Sequence, residues 1–372
     1  MNQFRKFLAT PAGIAGCAGV LLLLLPALYA PFITNGRPFI LIDAGKVSFP
    51  FLRFIFAPDS GEFWIWQLFN YFGLALIIVP FFRRRKKLLI LLLLLLAVPF
   101  FCVRRTVDKT DYRQLVEERQ AFAIFPVIPY GPLEIVSSPC GKPSAKHWLG
   151  TDNVGRDVAS RLINGSRVSL AVGVLSTLIA LAIGTVAGLA AGFFRGWFDL
   201  VMMRLVEILL CFPTFLLLLI LMSILGDRKV EQSIPVVILV IGFTGWISLA
   251  FLVRGEVLKQ RALPYIASCE VSGIGAWRIM LYHLLPNITA PILISFTFGI
   301  AGAILAESSL SFLGFGVQPP TPSWGELLRQ AFDNPLDNWH LTFFPGLVLF
   351  LAVLSFNFTA DGLRRMLAPD NR

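Results

Sequence analysis

The sequence predicts an all-α polytopic membrane protein that crosses the bilayer about eight times, since each crossing needs about 20 apolar residues. Composition is the first reason. Of 372 residues, 56% are hydrophobic and only 15% charged, with a mean hydropathy of +0.75; soluble domains carry about 25% charged residues. Arrangement is the second: the apolar residues fall in long unbroken runs, not in strand-like alternation. Third, basic residues collect in the gaps. The densest group, Arg83-Arg84-Arg85-Lys86-Lys87, separates two apolar runs and acts as a cytoplasmic topology anchor.

The first membrane helix lies in residues 1–30, where Arg5 and Lys6 precede an apolar run from Pro11 to Ala30. A secretory signal would share that leucine core, but Leu28 stands where cleavage needs a small residue, so a retained anchor is expected. Residues 31–146 read as an insertion. Ile33 to Gly61 mixes Pro and Gly with Phe49, Phe51, Phe54 and Phe56, and periodicity leaves strand and interfacial segment both open. Two extra spans follow at 64–82 and 88–103, joined by the basic cluster. Arg104 to Gln120 carries both charges and reads as helix, and Phe125 to Lys146, rich in Pro, Gly and Ser, reads as an extended external linker. A pair of inserted spans leaves the direction of later helices unchanged, so the insertion is expected to be peripheral.

Residues 147–167, HWLGTDNVGRDVASRLINGSR, are expected to be an external interfacial motif. Gly150-Thr151-Asp152 offers a turn and a helix cap, Arg156 can pair with Asp157, and Arg161 and Arg167 can hold a helix at headgroup level. Five spans make up residues 168–362: Val168–Phe194, Leu200–Leu225, Ile234–Val253, Ile288–Ala306 and Leu341–Phe358. In the first, Ala180, Gly184, Gly188 and Gly192 recur every fourth residue and line one face, where a neighbouring backbone can approach closely. Pro213 is expected to kink the second. Between the third and fourth lies a cytoplasmic loop, 255–287, whose hairpin reverses at Gly273 and stops at Leu285-Pro286. Residues 363–372 are expected to be a cytoplasmic tail.

The charge balance of +10 does not imply nucleic-acid binding, because the basic residues flank apolar runs and no recognition motif accompanies them. The five cysteines have no metal or redox spacing, and none of the three histidines lies near one. Gly141-Lys142-Pro143-Ser144 lacks the upstream glycine of a phosphate-binding loop and puts proline where a helix must start. A membrane enzyme would need a paired nucleophile and base or a metal set, and neither appears. A secondary transporter or channel working without ATPase subunits would call for an ionisable group at mid-bilayer, whereas the charges here cluster near span ends.

Three strings carry a resemblance. The hairpin YIASCEVSGIGAWRIMLYHLLPN resembles the EAA loop of ABC importer membrane subunits, with Gly273 at its glycine and Leu285-Pro286 closing it. Here Ala267, Ser268 and Cys269, followed by Glu270, stand at and after the E-A-A positions, so the first carboxylate is absent. The stretch around Gly150, Thr151, Asp152, Gly155, Arg156 and Asp157 resembles the segment before the second core helix in dipeptide, oligopeptide and nickel importer permeases, and MRLVEILLCFP resembles the same family. The resemblance implies a six-helix ABC importer permease core, with the insertion as an added helical hairpin and both termini in the cytoplasm. It also implies the second permease of a heterodimer, two cytoplasmic ATPase subunits that dock on the loop, and an external substrate-binding protein. By the same resemblance the chain sits among lipid in a bacterial inner membrane, uses no cofactor of its own, leaves ATP to its partners, and carries peptides or a related small solute.

Overall fold

The computed structural model describes residues 7–367 except 9, 44, 57–62, 83–84, 103–107, 109 and 229–231. Helices α1 (Pro11–Leu28) and α2 (Ala30–Ile33) lead into strands β1 (Ile40–Asp43) and β2 (Lys46–Ser48). Then come α3 (Pro50–Phe56), α4 (Phe63–Phe82), α5 (Lys86–Cys102), α6 (Tyr112–Arg119) and β3 (Phe122–Ile124). After an irregular stretch follow α7 (Val158–Phe194), α8 (Gly196–Leu210), α9 (Thr214–Asp227) and α10 (Ile234–Arg261). The hairpin comprises α11 (Pro264–Val271), α12 (Ala276–Ile279), a π-helical turn (Met280–Leu284) and α13 (Leu285–Asn287). Helices α14 (Thr289–Leu313), α15 (Trp324–Arg329) and α16 (Trp339–Leu367) complete the described chain.

Among the described residues six helices, α1, α4, α7, α10, α14 and α16, are long and apolar enough to cross a membrane. Helix α5 holds a shorter apolar stretch, Lys87–Val98. The span expected at 200–225 is not one kinked helix: α8 and α9 meet at 84°. Proline explains the break. Pro213 has no N–H to give the preceding turn and pushes Phe212 out of helical conformation, so α9 starts afresh after it. Arg83, Arg84, Val103 and the tail beyond Leu367 lie outside the described residues.

The chain divides into two compact units. One comprises Leu21–Ala171 and Ser311–Val348. It holds an antiparallel sheet of order β2-β1-β3, with Leu41 opposite both Ser48 and Ala123. The described part of the stretch at 33–61, up to residue 56, is therefore strand and helix together. Within this unit α4 is unevenly placed: Ile65, Trp66, Phe69 and Asn70 in its first half are buried, while Leu76, Ile77 and Phe81 in its second half are exposed. Within the insertion the second half of α4 is thus peripheral, whereas its first half is packed, and the Tyr130, Pro132 and Ser138 carbonyls accept from Ser160, Arg161 and Thr151. The middle of α4 meets the chain just after α1, where Tyr29 donates to the Gly73 carbonyl at 3.3 Å.

The other unit comprises Met1–Val20, Val172–Leu310 and Leu349–Arg372. Its helices meet at glycines. A Cβ on Gly362 would lie 2.7 Å from the Gly13 Cα, so α1 and α16 cross backbone against backbone.

Candidate functional site

Helices α7, α9, α10 and α14 line a partly open cavity of about 460 Å³. Its wall is neutral. Six hydroxyl-bearing residues line it, Ser176, Thr177, Thr214, Thr244, Ser248 and Ser295, among leucines, small residues and Phe296 and Phe298. Ser176 and Thr177 donate back to the Val172 and Gly173 carbonyls at 2.5 and 2.7 Å, and Thr244 to Val240 at 3.0 Å. Their protons are thus engaged, and their oxygens keep acceptor capacity toward the cavity. Such a wall can accept hydrogen bonds from a polar solute while offering no fixed charge to trap it.

The small residues of α7 make close contact with α10. A Cβ on Gly184 would lie 2.8 Å from the Trp246 carbonyl oxygen, and one on Gly188 would lie 2.6 Å from that of Ala250. One on Gly192 would meet the Val257 Cβ at 2.8 Å. Ala180 lies opposite Gly245 on the same seam and also lines the cavity.

The hairpin hangs from the far ends of these two helices. Ile266, Ile279, Met280, Leu284 and Ile288 are buried against Leu189 and Phe193 of α7 and Leu249, Val253 and Val257 of α10. Arg261 seals the junction: it donates to the Phe193 carbonyl, lies 4.9 Å over the Phe193 ring, and reaches Glu270 at 3.4 Å. Nearby, Arg254 grips Asp199 of α8 with two hydrogen bonds of 2.5 and 2.6 Å. Leu181, Leu249 and Leu252 belong both to the cavity wall and to the packing beneath the hairpin.

Gly273 turns between α11 and α12 at φ +73°, the left-handed region that glycine enters without steric cost, and open space surrounds the position. Leu285-Pro286 does not stop the second helix outright. The chain widens into the π-helical turn, whose i→i+5 bonding suits the proline's missing N–H, and a break at Ile288 precedes α14. Ala267, Ser268, Glu270, Gly273 and Pro286 are exposed, and Cys269 and Leu285 half-buried. The apolar Val271, Trp277, Leu281 and Tyr282 also face outward, Val271 at 89% and Tyr282 at 72%.

In the other unit the polar motif forms a closed network. Arg156 pairs with Asp152 at 2.7 Å, not with Asp157, and the Asp152 carboxylate also accepts from the Val154 and Arg156 amides, both at 2.9 Å. Asp157, not Asp152, caps α7, accepting from the Ser160 amide at 2.8 Å and meeting His147 Nδ1 at 2.9 Å. Thr151 ties to Ser138 and Gly141. Gly150 and Gly155 take φ of +82° and +92° beside the Gly141 and Ser137 carbonyls, where no Cβ fits.

Arg161 and Arg167 are fully buried, not at a headgroup surface, because α7 begins at Val158 and carries both inward. Arg161 meets Asp152 at 3.2 Å and Glu326 at 2.7 Å, and donates to the Pro132 and Pro320 carbonyls. Arg167 donates to the Ala27 and Leu28 carbonyls at 2.6 and 3.0 Å and lies over the Trp66 and Phe69 rings. Glu326 and Trp324, central to this network, were not singled out from the sequence. Their one local signal is Ser323-Trp-Gly-Glu326, a helix-capping pattern in which Ser323 accepts from the Glu326 amide at 3.1 Å.

Comparison with known proteins agrees with this architecture. Residues 184–372 match the family described as binding-protein-dependent transport system inner membrane component. The glutathione transport system permease protein GsiD of Pectobacterium atrosepticum is 41% identical over 227 residues, covering 61% of this chain and 74% of that protein. Those of Escherichia coli O6:K15:H31 and Shigella boydii serotype 4 are each 40% identical over 227 residues, covering 61% of this chain and 73% of theirs. With cavity, hairpin and polar motif all falling in or beside the matched region, the chain belongs to the binding-protein-dependent transport system inner membrane components, the permease subunits of ABC importers.

Proposed function

We propose that this permease forms one half of the path for a short peptide or related solute and couples it to ATP hydrolysis in partner subunits through the α11–α13 hairpin. The partners in this reading are a second, similar permease, two cytoplasmic ATPases and an external binding protein, with both termini of this chain cytoplasmic. The GsiD relatives carry glutathione in their names, and the hydroxyl-lined, uncharged cavity suits cargo that presents N–H groups in varied positions. ATP is bound by the partners, and this chain supplies path and lever.

One observation carries the reading: the apolar cluster that seats the hairpin runs on into the cavity wall. Leu249 belongs to that cluster, Leu181 and Leu252 pack against it, and all three line the cavity, so close packing links the seat of the hairpin to the wall. The exposed Val271, Trp277, Leu281 and Tyr282 give the hairpin an apolar outer face for the ATPase groove. Glu270 is engaged by Arg261, and the carboxylate missing at Ala267 leaves this apolar face as the main contact.

Crosslinking tests this. Cys269 on α11 should crosslink efficiently to a cysteine placed in the ATPase groove, and Gly273→Val should weaken that link while the permease stays in the membrane. Valine is strained at φ +73°, so substrate should no longer stimulate ATP hydrolysis. Normal transport by Gly273→Val, together with no crosslink at Cys269, would reduce the hairpin to a connector.

A further inference from the structure

The small sheet has an apolar face that the described residues leave largely exposed. Pairing sets Ile42 opposite Val47 and Phe122, and Ile40 opposite Ile124, so these five side chains share one side. Val47 is 56% exposed, Phe122 60% and Ile124 44%. On the reverse side Leu41 is buried and Asp43 reaches Arg119 of α6 at 2.7 Å, while Lys46 and Ser48 of β2 are exposed and polar. Phe49 and Leu52, where β2 runs into α3, are exposed as well. The exposed face offers no charged or hydrogen-bonding side chain, whereas surfaces that bind partner proteins reversibly are about as polar as the rest of a protein.

The depth of α3 identifies what covers this face. Helix α4 has 20 residues, about 30 Å at 1.5 Å per residue, which is the thickness of the hydrocarbon core. It ends at the basic run that begins at Arg83, so its apolar window, opening at Trp64, reaches the opposite boundary with nothing to spare. Asn70, inside that window, donates to the Ile55 carbonyl at 2.8 Å, and Gln67 donates to that of Phe56 at 3.2 Å. The end of α3 therefore lies about 9 Å along α4 from Trp64, within the 5–10 Å at which amphipathic segments rest in the headgroup and acyl boundary. The start of α3 is fastened to the sheet: Phe51 donates to the Pro38 carbonyl at 3.3 Å, and its ring meets Phe39 with centroids 4.5 Å apart.

We infer that the Ile40, Ile42, Val47, Phe122 and Ile124 face of the sheet, with Phe49 and Leu52, is a lipid-docking surface that rests on the acyl chains of the leaflet nearest it. The insertion then anchors to the bilayer at two levels, through α4 across it and through the sheet along it.

Site-directed spin labelling tests this in the complete transporter held in lipid nanodiscs, with the five native cysteines replaced. Labels at Val47→Cys and Phe122→Cys, both exposed and free of core packing, should collide preferentially with oxygen, which partitions into lipid. Their oxygen-to-nickel-chelate accessibility ratio should stand several-fold above that of a label at Ser48→Cys, on the reverse side. Equal access of the nickel chelate to all three labels would place the face in water and overturn the inference. So would access at Val47 and Phe122 that is lost only when the external binding protein is added, an outcome that makes the face a protein-docking surface.

Discussion

At the scale of single residues, the decisive fact is how differently two arginine–glutamate pairs are placed. Arg161 and Glu326 are both buried, 2.7 Å apart, while Arg204 and Glu207 meet at 2.6 Å with both side chains more than half exposed. Breaking a buried pair leaves an uncompensated charge and costs about 3–5 kcal/mol, whereas an exposed pair contributes about 0–1 kcal/mol. Glu326→Ala should therefore lower the thermal stability of the purified permease sharply and Arg204→Ala hardly at all, as read by the loss of monodisperse protein on heating. The sequence contained half of this. A turn, a cap and ion pairs were legible in residues 147–167, but the partners were assigned to near neighbours. Arg156 reaches back to Asp152, Asp157 takes the cap, and Arg161 finds its second carboxylate far along the chain, because pairing of buried charges is decided by the fold and not by spacing.

Among elements, the seam between α7 and α10 and the first half of α4 carry the packing. The four-residue recurrence from Ala180 to Gly192 was legible because a helix repeats nearly every fourth residue, though the partner helix was not. Gly188→Leu drives a side chain into the Ala250 carbonyl and Val253, and overpacking of that kind costs about 1–3 kcal/mol. It should reduce assembly, as measured by co-purification of the partner subunits. The insertion divides in the same physical terms. Its two apolar runs were plain, but composition could not say which turns of them touch the core. Trp66 is 2% exposed and lies 5.2 Å from the Arg167 guanidinium. Replacing a buried aromatic by alanine costs about 3–5 kcal/mol, and here it also uncovers a buried cation. Trp66→Ala should destabilise the protein and Phe81→Ala, in the exposed half, should not. Equal stability of the two variants would make all of α4 peripheral.

For the whole molecule, orientation is the open quantity, and the burial of the arginines bears on it. Positive charge stays on the cytoplasmic side when it lies in short loops near span ends. Read from the sequence alone, Arg104, Arg105, Arg156, Arg161 and Arg167 stand on the wrong side of that rule. Arg104 and Arg105 lie outside the described residues; Arg156, Arg161 and Arg167 are buried and held by carboxylates or carbonyls, so they are not loop charges. The cations that remain for the rule include Arg85 between α4 and α5, Lys87 in the first turn of α5, Lys259 at the end of α10 and Arg364 and Arg365 at the end of α16. Each group is cytoplasmic in a chain of eight crossings with α8 and α9 counted as one, and the stretch before α7 is then external. Cys140, in that stretch, and Cys269, on the hairpin, are both free and half-buried. A membrane-impermeant maleimide should label Cys140 and spare Cys269 on spheroplasts, and label Cys269 in inside-out vesicles. If α8 and α9 instead dip in and return on one side, every helix after them reverses, and Cys269 becomes accessible from outside together with Cys140.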